Sequence, residues 1–428
     1  MRWPGRLAVA AALIAAACAP GAAPLTPALH TSQTPLAPTS HPATATAPKP
    51  HPTPTPASVD NLLGVHVLLD DGRNTWPPDV WPEHLAAARD LIGSGGWVVE
   101  LVRLDDLDVE RWQRFFDLCA KLNLRPILRL ATTFDQSAGY WVAPLAGPGD
   151  GYAQTAQRYA AFVAGLSWPT NTHPVLVGNE PNHGDEWGGR ADPAAYARFL
   201  RDVAAALRAV DPAVLVLNAP LDPYSPNTNG QPFINGFTYV DAESFMDGMR
   251  AEVPDVFVGL DAWASHAYPT GPLANGPWDQ TFQIDLLNGA TNPEHLQPPQ
   301  GLTNRGINGY AWELAKLARY GVTDLDVWIT EVGWRHAESV DPVARDGTAE
   351  WPSAETVGQW FDLALNGNDG RYTQWPDDGW TPWRDDRRVR AVVYFALDGA
   401  PHEWGHTNWL QVSEDGVVLG AYPLLATP

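Results

Sequence analysis

From residue 59 onward, short apolar runs alternate with stretches of helical period. The runs are Leu62–Leu68, Trp97–Leu104, Arg125–Leu130, His173–Asn179, Ala213–Ala219, Phe257–His266, Asp326–Glu331 and Val389–Ala396. Most are nearly continuous in apolar residues, as expected of parallel strands covered on both faces. Between them, apolar residues recur every three or four positions over Pro82–Ile92, Val109–Leu122, Tyr152–Leu166, Pro193–Val210, Val240–Glu252, Gly309–Tyr320 and Ala354–Leu365, which predicts helices. Asp192 before Pro193 reads as an N-cap followed by a first-turn proline. Eight such units in one chain predict an α/β fold, a (β/α)8 TIM barrel, over a doubly wound sheet. The chain is longer than the ~250 residues usual for such a barrel, so the surplus is assigned to long βα loops. The stretches 221–239, 267–307 and 335–352, rich in Pro, Gly, Asn and Trp, are those loops.

The first 58 residues follow a different pattern. Arg2 and Arg6 precede a short apolar run, Leu7 to Ala17. Such a run is too short to span a bilayer and reads as a signal peptide over 1–18. Ala15-Ala16-Ala17-Cys18 resembles a bacterial lipoprotein cleavage box, with Ala15 where the pattern usually carries Leu. That resemblance implies lipidation of Cys18 and an extracytoplasmic protein anchored to the outer face of the bacterial cell membrane. Residues 19–58 form a Pro/Thr/Ala tract, including His51-Pro-Thr-Pro-Thr-Pro56. With almost no aliphatic periodicity it cannot build a core, and its prolines suit a semi-rigid stalk. Residues 59–428 read as one domain. The second cysteine, Cys119, shares a helical face with Trp112, Phe115 and Phe116 and reads as a buried free thiol.

Composition narrows the function. A hydrophobic content of 45% suits a large globular core, and a net charge of −22 argues against nucleic acid or an anionic membrane surface as partner. Twenty tryptophans supply flat rings for sugar faces, although such rings also fill cores. The charge balance suits a soluble enzyme with a neutral substrate. No cofactor, metal or protein partner is expected, and the membrane is met only through the lipid anchor.

Chemistry in a TIM barrel sits where the strands end. Strand four ends Val175-Leu-Val-Gly-Asn-Glu-Pro-Asn182, and strand seven ends Val327-Trp-Ile-Thr-Glu-Val-Gly-Trp334. Each delivers one glutamate, Glu180 and Glu331, to the barrel mouth. Three strands apart in a ring of eight, they face one another. Retaining glycosidases need two carboxyl groups ~5–5.5 Å apart. Asn179-Glu180-Pro181 with Glu331 resembles the large clan of retaining β-glycosidases that includes family-five cellulases and family-thirty-nine enzymes. The resemblance covers strands two to eight. It implies that Glu180 is the general acid/base, Glu331 the nucleophile, and Asn179 a partner of the sugar 2-hydroxyl. His266-Ala-Tyr268 resembles the clan's strand-six pair, with Tyr268 orienting Glu331. Arg103, ending strand two, resembles the arginine that supports the nucleophile, and Arg129, ending strand three, competes for that part. Trp334, together with Trp404 or Trp409 after strand eight, are the tryptophans assigned to the sugar. The implied activity is retaining hydrolysis of a β-linked oligo- or polysaccharide. The alternative is an inactive carbohydrate-binding lipoprotein on the same scaffold.

His402-Glu-Trp-Gly-His406 fits the H-E-x-x-H zinc pattern, which requires a helix. Pro401 and Gly405 make the segment read as a loop instead. Asn182, His183 and Trp187 follow Glu180 and are expected to shape the cleft.

Overall fold

The computed structural model describes residues 61–233, 235–280, 303–338 and 351–423. The Cys18 and 19–58 readings lie outside these residues. Eight parallel strands form the barrel: β1 Leu63–His66, β2 Trp97–Arg103, β3 Arg125–Ala131, β4 His173–Val177, β5 Val214–Asn218, β6 Trp263–His266, β7 Val327–Val332 and β8 Val389–Tyr394. They hydrogen-bond in the order β5-β4-β3-β2-β1-β8-β7-β6. Among the described residues, seven long helices cover the outside: α1 Trp81–Ile92, α2 Val109–Leu122, α3 Ala153–Gly165, α4 Pro193–Val210, α5 Ala242–Glu252, α6 Gly309–Arg319 and α7 Ala354–Asn366. No helix among the described residues is long and apolar enough to cross a membrane.

The pleat sorts each strand's apolar residues into two cores. Trp97, Val99, Ile127, Leu176, Leu217, Trp328 and Val393 pack inside the barrel. Val98, Val102, Leu128, Val175, Val177 and Ile329 pack outward against the helices. Both faces are dry, which is why the strands read as unbroken apolar runs. The expected cap at Asp192 is present: its carboxylate accepts from Ala195 N at 2.9 Å, with Pro193 opening α4. Cys119 is buried and free.

One strand begins well after its predicted start at Phe257. β6 begins at Trp263, and Val256, Phe257 and Leu260 lie in turns before it. Those three are buried nonetheless, with Phe257 stacked on Tyr320 at 5.5 Å. An apolar run reports burial, and a buried turn satisfies it as well as a strand does.

Between β5 and β6 the ladder thins to one bridge, Leu217 to Ala262. Asn218 completes the closure with its side chain. Its Oδ1 accepts from Ala264 N at 2.8 Å, and its Nδ2 donates to Ala264 O at 3.0 Å. The amide thus stands in for a peptide unit. Asn218→Ala strands both buried backbone groups, and chemical denaturation is expected to show a loss of about 2–4 kcal/mol. A loss below about 1 kcal/mol would mean that the barrel closes without this clamp.

Candidate active site

The barrel mouth collects side chains from the strand ends and the loops beyond them. β4 leads through Gly178, at φ 95°, into Asn179 and Glu180. Glu180 itself has φ 30°, a left-handed conformation that costs a non-glycine residue free energy and so needs support from its surroundings. That support includes Glu180 N donating to Pro220 O at 3.0 Å and His183 N donating to Glu180 O at 2.8 Å.

Glu331 reaches the mouth by another device. Trp328 faces the barrel interior and Ile329 the helices, so strict alternation would turn Glu331 outward. A bulge prevents this. From Ile329 to Glu331, β7 advances two residues while β6 advances one, Ser265 to His266. From Ile329 to Val332, β7 advances three while β8 advances two. The extra residue of β7 re-aims Glu331 inward, a recognised use of a bulge beside a functional site.

The two glutamates share one histidine. His266 Nδ1 lies 2.6 Å from Glu180 Oε1 and 3.6 Å from Glu331 Oε2. One carboxylate oxygen of each glutamate and a His266 nitrogen all lie within 4.8 Å of one another. Tyr268 OH donates to Glu331 Oε2 at 2.7 Å, and Arg129 Nη1 donates to Glu331 Oε1 at 2.7 Å and to Asn179 Oδ1 at 3.0 Å. His66, ending β1, approaches Glu331 Oε1 at 3.6 Å while its Nε2 contacts Thr330 O at 2.9 Å.

These surroundings drive the two carboxyls apart. Burial pushes both up. For Glu180 that effect prevails over the opposing pull of His266, and its pKa is raised. For Glu331 the charges of His266, His66 and Arg129 and the Tyr268 hydrogen bond outweigh burial, and its pKa is lowered. Burial holds His66 down to about 3, although the Glu331 charge beside it pulls the other way. His266 is raised despite its burial, because both glutamates face it. The two environments thus favour the proton on Glu180 over Glu331, the division of labour that acid/base chemistry requires.

Several sequence expectations change here. Arg103 does not support Glu331. It lies at the rim beside Asp70 Oδ2 at 3.4 Å and Asp105 Oδ1 at 3.7 Å. Arg129 does so instead, because it sits deeper in its strand, two residues beyond inward-facing Ile127. Trp334 is fully buried, donates to Asn275 O at 2.7 Å and has no face to offer a sugar. Trp409 is likewise core, packed on Tyr394 at 4.3 Å. Trp404 is half-buried at the mouth, edge-on to Phe395 at 5.0 Å with its Nε1 bound to Asp71. His266 is 1% exposed and lies behind the carboxyls, where it holds Glu180 rather than a ligand. Asn179 is in place, its Oδ1 taken by Arg129. The H-E-x-x-H segment forms one helical turn, Pro401–Trp404, where a loop was expected. Even so, its histidines part: exposed His402 meets Glu414 at 2.7 Å, and His406 lies beside Trp351.

Two residues escaped the sequence reading. His66 interrupts the apolar run Leu62–Leu68, and a titratable side chain inside such a run was its signal. Glu186, six residues beyond Glu180, carries no such mark. Burial, with Asp185 and Glu180 nearby, pushes it up to about 8. Among the described residues, Glu180, His266 and Glu331 are the group with metal-ligand proximity. Arg129 already supplies Glu331 with positive charge at bonding distance.

No protein-family model and no curated protein matches the chain. Solved structures do resemble it. A glucosidase from Croceicoccus marinus aligns at 14% identity and TM-score 0.46, over 83% of this chain and 64% of that one. The chain therefore spans less than two thirds of that glucosidase. Fungal β-1,4-galactanases align at 13% identity and TM-score 0.45, over 78% of this chain and 87% of theirs. A β-mannanase from Streptomyces thermolilacinus aligns at 13% identity and TM-score 0.38, covering 82% of each chain. Likenesses this distant leave the functional reading to the site itself.

Proposed function

We propose that the protein is a retaining O-glycoside hydrolase acting on a β-linked oligo- or polysaccharide by double displacement. The observation that carries this reading is the carboxyl pair. Glu180 and Glu331 bring oxygens within 4.8 Å, which suits direct attack and leaves too little room for the intervening water of an inverting enzyme, whose carboxyls stand ~6.5–9.5 Å apart.

In this reading the sugar lies across the mouth. Ionised Glu331, held by Arg129 and Tyr268, attacks the anomeric carbon. The glycosidic C–O bond breaks as Glu180 gives its proton to the leaving oxygen. A glycosyl ester on Glu331 results. Esterification removes the Glu331 charge, which lowers the Glu180 pKa and prepares it to act as base. Glu180 then takes a proton from water, water attacks the same carbon, and Glu331 departs with configuration retained. Asn179, with Oδ1 fixed on Arg129, presents its amide hydrogens to a sugar hydroxyl. Trp404 offers the half-exposed ring at the mouth.

The test is a screen of aryl β-glycosides and of β-glucan, mannan and xylan oligomers, with product stereochemistry followed by NMR. A β-configured first product supports the reading, and an α-configured one sinks it. The pH profile of kcat/KM should be bell-shaped. Glu331 is depressed, so activity is lost as pH falls through a value below the usual glutamate range. Glu180 is raised, so activity is lost as pH rises through a value above that range. The limbs belong to the coupled pair. An alkaline limb unchanged in Glu180→Gln would assign it to another group.

The N-terminal reading completes the proposal: a Cys18 lipid anchor and a proline-rich stalk would present the barrel outside the bacterial cell. Mass spectrometry of the mature protein should find an acylated Cys18 as its first residue. A mature N-terminus beyond Cys18 would overturn the anchor.

A further inference from the structure

The loop carrying Glu180 is laced to the loop after β5. Asn182 Nδ2 donates to Asp222 O at 2.9 Å, and Asp222 N donates to Asn182 Oδ1 at 3.0 Å. Between the same loops stands His183. Its Nδ1 lies 2.9 Å from Asp185 Oδ1, on its own loop, and its Nε2 lies 2.5 Å from Asp222 Oδ2, across the gap. All three side chains are less than one-fifth exposed, at 15%, 19% and 16%. A carboxylate only accepts hydrogen bonds. A neutral imidazole would turn a lone pair toward one of the two, so this geometry calls for a ring protonated at both nitrogens.

We propose that His183 is a positioning residue for the acid/base: as an imidazolium it ties Asp185 to Asp222, and so holds the strained turn that carries Glu180. The inference rests on the glycosidase reading for Glu180's role. The main-chain N–H of His183 also donates to Glu180 O at 2.8 Å, so a shift of the residue that the ring anchors shifts the turn. The groups facing it are Asp185 from its own loop, Asp222 from the β5 loop, and Tyr239, whose ring meets it edge-on at 4.8 Å. Burial pulls the imidazolium down, but the two carboxylates prevail and hold it well above the usual histidine range. The clamp is therefore closed at neutral pH and opens only when alkali removes the ring proton.

The readout is leaving-group dependence. A misplaced Glu180 handicaps substrates whose leaving group needs a proton, and spares those with an acidic phenol. In the full-length protein, His183→Gln keeps a donor for one carboxylate only. Its kcat/KM on a methylumbelliferyl or alkyl glycoside is expected to fall by about 10- to 100-fold, as for a displaced catalytic group. On the 2,4-dinitrophenyl glycoside of the same sugar the fall should stay below about threefold, because little proton donation is needed there. Asp222→Asn, which weakens the same tie, should show the same split and serves if His183→Gln folds poorly. An equal fall on both substrates, or no fall, overturns the positioning role. Independently of turnover, 15N NMR of the histidine rings, assigned through His183→Gln, should show both His183 nitrogens protonated at pH 8. A ring titrating near the ordinary value of ~6.5 overturns the clamp. Wild-type protein that cleaves no glycoside overturns the glycosidase reading and with it the role given to Glu180, whereas the NMR result still decides the state of the ring.

Discussion

Replacing Glu331 with Gln is expected to lower kcat by on the order of 10⁴-fold or more, with KM little changed. The attacking oxygen is lost, and groups that act as one unit fail together when one is removed. The substitution nearly preserves shape. An amide can still accept from Arg129 Nη1 or Tyr268 OH, which bond the carboxylate at 2.7 Å each. Folding should survive, because Gln ends the cost of burying a charge while weakening the Arg129 pair. Steady-state kinetics with an aryl β-glycoside, beside circular dichroism of the variant, checks both halves. Residual activity within tenfold of wild type would remove Glu331 from the role of nucleophile. The same substitution should also abolish the glycosyl-protein adduct that a 2-fluoro aryl glycoside leaves on the wild type.

Glu180→Ala is expected to divide the reaction. Attack by Glu331 remains, so a 2,4-dinitrophenyl glycoside still forms the glycosyl ester. Water then lacks a base, and turnover stalls by about 10²- to 10⁴-fold, the usual worth of positioned proton transfer. Azide, a nucleophile that needs no deprotonation, should restore turnover and yield a β-glycosyl azide. The cavity left by the side chain makes room for it. Failure of azide to accelerate the variant, or formation of an α-azide, would contradict the acid/base assignment.

Both predictions depend on residues that could be picked out in the chain, and there is a reason why. A strand buried on both faces must be apolar along its length, so a glutamate at its end stands out. Glu180 and Glu331 each close such a run. Tyr268 was implied only by the resemblance of His266-Ala-Tyr268 to the clan's strand-six pair, and it does bond Glu331. The helices were legible because each has one dry and one wet face, and α4 even declares its start through Asp192 and Pro193.

Other features had no local signature. The arginine beside the nucleophile is Arg129 and not Arg103. Both lie near the ends of apolar strands, Arg103 as the last residue of β2 and Arg129 two residues short of the end of β3, and only strand register and depth in the barrel separate them. Trp334 and Trp404 are alike in sequence, but packing buried the first behind Tyr394 and Trp360 and left the second at the mouth. The clamp at His183 joins two loops about forty residues apart, and no spacing rule connects Asp185 to Asp222.

What the chain determines by itself is therefore the alternation of strands and helices, the barrel they imply, and the two strands that end in a carboxyl. These are properties of short segments, decided by side-chain period and by the desolvation cost of a charge. Tertiary structure decided where those carboxyls point and how each is charged. The bulge between Ile329 and Glu331 turns the nucleophile inward against the pleat, and it exists only because β7 is held between β6 and β8. The opposite pKa directions of Glu180 and Glu331 arise from burial, His266 and Arg129, groups brought together from strands far apart in the chain. Coulomb energies depend on distance in space and on the dielectric around the pair, and folding alone sets both.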